Sequence, residues 1–159
     1  MTLPIRLFSF LILAVFAGDA DSLARLRGMS ARYAKRFKEV AAIAPKEALE
    51  KNVVFVDVRP KEETSISIIP GALLKKEFEA NLETYRGSLI VPYCTIGYRS
   101  GKYGRKLQKK GFRVRNLLGG VLLWAHTVGP LEHEGKPTKR IHVYGRRWDL
   151  APTAFESVR

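Results

Sequence analysis

At 159 residues, with 46% hydrophobic and 27% charged residues, the chain is long enough for one domain with a buried core and too apolar for a disordered tail. Its formal charge of +13 draws anions from a distance, whether inorganic ions, acidic proteins, anionic lipid or nucleic acid, without choosing among them. One cysteine, Cys94, excludes an intramolecular disulfide and a resolving thiol, and His126, His133 and His142 fall at no metal-ligand spacing, so neither a metal nor another cofactor is expected.

The opening segment, MTLPIRLFSFLILAVFAGDA, sets one cation, Arg6, before an apolar run from Leu7 to Ala17 and small residues at Gly18 and Ala20. That is the layout of a secretory signal peptide, and the run is shorter than the roughly 20 apolar residues of a membrane span. For residues 1–20 the expectation is a signal peptide or an N-terminal anchor, hence an exported or membrane-tethered protein, with organelle targeting as the alternative. In residues 21–42, Leu23, Leu26, Met29, Tyr33, Phe37 and Val40 recur every three or four positions with Arg25, Arg32, Lys35, Arg36 and Lys38 between them. This is a basic amphipathic helix, expected to pack on the domain with a solvated basic face. An anionic membrane surface is its alternative partner.

A short helix starts at Pro45 and stops near Asn52. The run Val53 to Val56 is apolar on both faces, as a buried parallel strand is, and closes on Asp57, Val58, Arg59 and Pro60. A second strand is predicted from Ile66 to Ile69, ending in the turn Pro70-Gly71, and a helix near Lys75 to Tyr85. Ser88 to Cys94 gives a third strand, Gly101 to Lys110 a helix, and Phe112 to Gly120 a fourth strand ending on a double glycine. Val121 to Gly129 is an apolar helix in which Trp124 is a core residue and His126 a surface one. This alternation makes an α/β fold with a mostly parallel central sheet and helices on both faces. Residues 132–159 are a basic, weakly periodic C-terminal extension that wraps the domain or stays mobile. Within it Lys139, Arg140, Arg146 and Arg147, with Tyr144 and Trp148, read as solvated, with docking of a partner or anionic lipid as the alternative.

Cys94 is the first residue after the third strand, and the next helix is predicted to begin about seven residues later. In parallel α/β sheets ligands collect beyond the C-terminal ends of strands, where a strand-to-helix loop aims backbone N–H groups at an anion. Gly97 permits a positive φ there, and Ser100 fits an N-cap. Such a setting stabilises a thiolate. No acidic residue lies between Glu83 and Glu132, and among the cations of that interval Arg99 sits in the loop itself. A lone cysteine is ordinarily buried and inert, but the order strand, cysteine, glycine loop, arginine, helix favours an anion-binding nucleophile.

Cys94-Thr95-Ile96-Gly97-Tyr98-Arg99-Ser100 resembles the active-site loop of rhodanese-domain sulfurtransferases, C-x-x-G-x-[RT] followed by a small hydroxyl residue. Further matches occur in order: IAPKEALE from Ile43, VVFVDVRPKEE with Asp57 and Arg59, IIPGA at Ile68 to Ala72, and NLLGGVLLWAHTVGPL, together spanning residues 43–131. Ile68 stands where the family usually has histidine, a difference expected to bear on packing. The resemblance implies a rhodanese-like three-layer fold and ping-pong sulfur transfer. Cys94 would be catalytic, taking a sulfane sulfur from a small anionic, thiosulfate-like donor and passing it as a persulfide to a thiol or cyanide acceptor. Thr95, Ile96, Gly97, Tyr98, Arg99 and Ser100 would bind the donor, and Asp57 and Arg59 would support the loop. A monomer is expected, and no nucleic-acid partner: Tyr98, Tyr103 and Tyr144 interleave with the charges but no recognition motif organises them. A binding or regulatory module without turnover is the alternative. Cysteine phosphatases place five residues before their arginine, and here Thr95, Ile96, Gly97 and Tyr98 make four.

Overall fold

The computed structural model describes the backbone from residue 5 and the side chains from residue 18, so the leader or anchor expected over residues 1–20 lies almost wholly outside the described side chains. Among the described residues no helix is long and apolar enough to cross a membrane. In chain order the elements are α1 (Ile5–Arg36), β1 (Ala42–Ile43), α2 (Pro45–Leu49), β2 (Val53–Asp57), α3 (Lys61–Thr64), β3 (Leu73–Leu74) and α4 (Lys75–Ala80). Then follow β4 (Leu89–Tyr93), α5 (Tyr98–Lys109), β5 (Arg113–Val114), β6 (Asn116–Leu117) and α6 (Gly120–Thr127).

The central sheet runs β3-β2-β4-β5, all parallel, and β1 pairs in parallel with β6. Successive side chains of its middle strands feed different cores, as the pleat requires. Val53 and Phe55 of β2, with Leu89, Val91 and Tyr93 of β4, pack with α1, α2 and α6. Val54 and Val56, with Ile90, pack with α4 and α5. Helices therefore cover both faces, which is why these strands read as unbroken apolar runs. Leu26 of α1 is fully buried, a contribution of roughly 1.5–3 kcal/mol, so this part of α1 packs onto the domain.

Several boundaries differ from expectation, each for a local reason. The helix predicted to reach residue 42 stops at Arg36, because Phe37 and Val40 lie directly on α5. A Cβ at Gly101 would meet the Phe37 ring at 2.4 Å, and one at Gly104 would meet Val40 at 2.9 Å. The strand predicted from Ile66 to Ile69 is a single bridge between Ile68 and Glu132. Its neighbouring backbone groups serve side chains instead: the Ser67 carbonyl accepts from Arg59 at 2.6 Å, and the Ile69 N–H donates to the Tyr93 hydroxyl at 3.0 Å. The sheet is joined later, at Leu73–Leu74. The helix predicted from Lys75 to Tyr85 breaks at Asn81, leaving a 3₁₀ turn over Leu82–Tyr85. The fourth strand divides at Arg115, one half pairing with β4 and the other with β1.

The C-terminal extension wraps the domain. A hairpin of β7 (Leu131–His133) and β8 (Lys136–Thr138) precedes β9 (Arg140–His142), which pairs in parallel with β10 (Glu156–Val158). Ile141, Val143, Leu150 and Phe155 are buried in the same core as α6. His126, expected on the surface, is part-buried and meets the Leu150 carbonyl at 2.8 Å, which helps hold the extension down.

The double glycine sets the height of α6 under the loop after β4. Gly119 and Gly120 have φ of 66° and 54°, and a Cβ on Gly120 would stand 2.2 Å from the Cys94 carbonyl oxygen. That approach lets the Val121 N–H reach the Cys94 carbonyl at 2.9 Å and the Leu122 N–H the Thr95 carbonyl at 3.3 Å. Gly120→Ala is expected to lower stability by about 2 kcal/mol or more, through the clash and the left-handed backbone. Gly87→Ala, where nothing lies within 4 Å of the added Cβ, should stay within about 0.5 kcal/mol of wild type. Urea unfolding midpoints of the two variants measure the contrast.

Candidate active site

β4 ends at Tyr93 and delivers Cys94 into a turn whose shape depends on Gly97. With φ 109° and ψ −5°, Gly97 is left-handed and turns the chain at once into α5, so the helix starts at Tyr98 instead of near Gly101. Ser100 is consequently not the N-cap. It lies buried in the first turn, and its hydroxyl donates to Cys94 Sγ at 3.5 Å. The Gly97 N–H donates to the same sulfur at 3.2 Å, and Asn116 Nδ2 holds the Gly97 carbonyl at 2.9 Å. The N–H groups of Tyr98, Arg99 and Ser100, in the first turn of α5, have no intrahelical acceptor. Because the carbonyls of Cys94 and Thr95 are bound by α6, their trans peptides point the N–H groups of Thr95 and Ile96 away from it. The loop thus sets two donors on the thiol, the Gly97 N–H and the Ser100 hydroxyl, and leaves further N–H groups unclaimed by α6.

An acid enters this loop from elsewhere in the chain. Glu63 of α3 is 2% exposed and accepts from both ends of the Arg99 guanidinium, at 2.6 and 2.8 Å, and from the Thr95 hydroxyl at 3.0 Å. Arg99 also donates to the Thr95 oxygen at 2.9 Å. Burial by itself pushes the Glu63 carboxyl up, but the hydrogen bonds and charge of Arg99, with Thr95, outweigh it and hold the group below its ordinary value. Burial lowers Arg99 in turn, but the hydrogen bonds and charge of Glu63 together with those of the Cys94 sulfur outweigh it and hold the guanidinium above its ordinary value. Arg99, expected as the loop's cation for a donor, is therefore already matched by a carboxylate. His142 Nδ1 lies 3.9 Å from the Glu63 carboxylate yet accepts the Tyr144 N–H at 3.1 Å. Burial pushes the imidazole down, against the pull of Glu63, which favours the neutral ring.

Asp57 and Arg59 form a fully buried pair, Nε to Oδ1 at 2.9 Å and Nη2 to Oδ2 at 2.7 Å. The guanidinium lies 5.8 Å from the Tyr93 ring centroid, and its other bond is to Ser67. No side-chain hydrogen bond of this pair reaches residues 94–100, so it braces the strip beneath the loop, and it acts on the loop through Tyr93 and through the Arg59 charge, which favours the Glu63 carboxylate. The direct braces are Glu63, Asn116 and the N-terminus of α6. Of these, Glu63 follows Asp57 and Arg59 closely, but nothing in the sequence separates it from Glu62.

Above the sulfur opens a cleft of about 280 Å³. Cys94, Thr95 and Ile96 form its floor with Arg99 beside them, and its walls are Tyr33 of α1, Tyr98, and Tyr144 and Trp148 of the extension. A larger groove of about 390 Å³, bordered by Arg27, Ala31, Pro45 and Leu123, contains no thiol, imidazole or carboxylate.

Comparison with known proteins agrees with this geometry. The rhodanese-like domain family model matches residues 42–127. A Bacillus subtilis (strain 168) protein named "Putative sulfurtransferase YtwF" is 30% identical over 98 residues, which are 58% of this chain and 95% of that one. The crystal structure of a rhodanese-like domain protein from Staphylococcus aureus superposes with a TM-score of 0.51 at 29% identity, covering 60% of this chain and 99% of the other. Thiosulfate sulfurtransferase from Pseudomonas aeruginosa shares the fold, with a TM-score of 0.54 at 22% identity over 70% of this chain and 23% of its own. A parallel sheet delivering Cys94 into a glycine-shaped loop seated on α6, within the matched span of residues 42–127, makes this chain a member of the rhodanese-like domain family.

Proposed function

We propose that the protein is a sulfurtransferase that carries a sulfane sulfur on Cys94. The observation that supports this best is the sulfur itself, at the floor of an open cleft, receiving hydrogen bonds from the Gly97 N–H and the Ser100 hydroxyl. Donors fixed around one sulfur stabilise negative charge on it, both when it attacks and when it departs as a leaving group.

In the first half-reaction the Cys94 thiolate attacks the sulfane sulfur of an anionic donor such as thiosulfate. A new S–S bond forms on Cys94 while the donor's S–S bond breaks, and the electron pair leaves on the remnant, sulfite in that case. In the second, a thiolate or cyanide attacks the outer sulfur of the persulfide, and Cys94 departs again as thiolate. Electrons balance in each step, so no external oxidant enters. The loop contributes position and charge stabilisation. Phosphate-ester cleavage is the weaker reading: four residues separate Cys94 from Arg99, and both terminal nitrogens of that guanidinium are bonded to Glu63. The same proposal has the protein exported or tethered, on the strength of the leader-like sequence of residues 1–20.

Incubation with excess thiosulfate, followed by intact-mass measurement, should add one sulfur to the wild-type protein, and cyanide should remove it. Cys94→Ser should gain none. No adduct on the wild type, or an equal adduct on the variant, would defeat the proposal and leave a binding module.

Glu63 makes a second expectation. Its carboxyl lies below the ordinary value of about 4.3, so its contribution to stability is complete above that pH and is lost as pH falls through the lower folded-state value. Glu63→Gln should lose about 2 kcal/mol at pH 7, because Arg99 then lacks its partner. It should also show a smaller further loss between about pH 5 and pH 3 than the wild type. Urea midpoints across that range decide it, and equal acid sensitivity in both proteins would mean that the Glu63 carboxylate does not hold the loop.

A further inference from the structure

The family match covers residues 42–127, yet three of the four rings walling the cleft lie outside it: Tyr33, Tyr144 and Trp148. They meet in pairs. Tyr33 packs edge-on against Tyr98 at 5.5 Å between centroids, and Tyr144 against Trp148 at 5.3 Å, with Arg99 of the loop 5.2 Å from the Tyr144 ring. Core packing does not account for Tyr144. The residue is 58% exposed, and its backbone is left-handed at φ 63°, a conformation that costs a tyrosine roughly 1–3 kcal/mol and persists because the surrounding turn imposes it, with the ring at the mouth of the cleft.

Size and charge indicate what fits between the rings. The cleft of about 280 Å³ has the volume of roughly nine waters at about 30 Å³ each, several times what a thiosulfate ion fills. The cation of the loop, Arg99, is matched by Glu63, which weakens its hold on a small dianion. Two exposed cations lie instead beside the rings that wall the cleft, Arg36 at 5.4 Å from the Tyr98 ring and Arg147 at 5.8 Å from the Trp148 ring. Among the described residues neither pairs with a carboxylate. A sulfur below, aromatic walls and cations beside those walls complement an organic molecule with a reactive sulfur at one end and a carboxylate at the other.

We propose that the flanking segments make the cleft selective for a carboxylate-bearing organic persulfide over inorganic thiosulfate as sulfur donor. The carbon skeleton packs between the rings, and the carboxylate lies at Arg36 or Arg147. This rests on sulfur transfer through Cys94. The thiolate attacks the outer sulfur of R–S–SH, a bond forms between that sulfur and Cys94 Sγ, and the S–S bond of the donor breaks. R–S⁻ leaves with the electron pair, and the proton stays on the new persulfide or passes to water.

The test compares initial rates of one-sulfur addition to Cys94, by intact mass, with glutathione persulfide and with thiosulfate at equal concentration. It uses the full chain, Trp148→Ala, and Tyr144→Gly, which removes the ring while suiting the left-handed backbone. The persulfide should react about tenfold faster with the wild type, and each variant should lower the ratio of the two rates about fivefold to tenfold, the size that aromatic contacts support. A ratio near one in the wild type overturns the proposal, and so does a ratio unchanged in the variants even if both rates fall. No adduct from either donor overturns sulfur transfer itself, whereas adducts without discrimination overturn only the selectivity.

Discussion

The N-terminus of α6 reaches the carbonyls of Cys94 and Thr95 through the N–H groups of Val121 and Leu122, and the site depends on how closely the helix must approach to do so. Any side chain on Gly120 would enter the space of the Cys94 carbonyl oxygen. With those carbonyls turned down onto α6, the loop's remaining N–H groups are free to face the other way, and left-handed Gly97 can start α5 without delay. Two helices thus converge on one short loop, α6 fixing its underside and α5 supplying its donors. The parallel sheet makes this arrangement natural, since it places every strand-to-helix loop at the same edge.

Charge in the molecule is arranged in two tiers. The surplus of cations is spread over the surface, where it draws anions toward the protein. Beside the sulfur the balance is different: buried Glu63 matches Arg99, and the pair with Thr95 ties α3 to the loop. A cation held this way positions the loop more than it captures a dianion. Long-range attraction therefore falls to the cations spread over the surface, and the proposed short-range selection of a donor to the rings around the cleft and the arginines beside them.

Elements with apolar side chains on both faces were legible from the sequence, because burial on two sides leaves a pattern that needs no partner to interpret. β2, β4 and α6 are the cases, and the Cys94 loop was legible through its order of residue types. Ile66 to Ile69 looked equally strand-like, yet the backbone there is claimed by Arg59, Tyr93 and Glu132 from distant positions. Ser100 fitted an N-cap until Gly97 took the turn at once. Gly101 and Gly104 fell within a predicted helix, but nothing local showed that they are flat spots on α5 where Phe37 and Val40 rest. The extension carried too few apolar residues, too unevenly spaced, to show that Ile141, Val143, Leu150 and Phe155 would enter the core.

What the sequence by itself determined is the class of fold, the thiol at the end of β4 and the length of the loop that follows it, all properties of contiguous residues and their periodicity. Only the tertiary structure decided who surrounds that loop. Glu63 beneath it, Asn116 beside it, and Tyr33, Tyr144 and Trp148 above it come from segments that share no local pattern with Cys94. Their meeting depends on which faces pack together, on a glycine that lets a helix come close, and on a strained turn that holds Tyr144 at the mouth of the cleft.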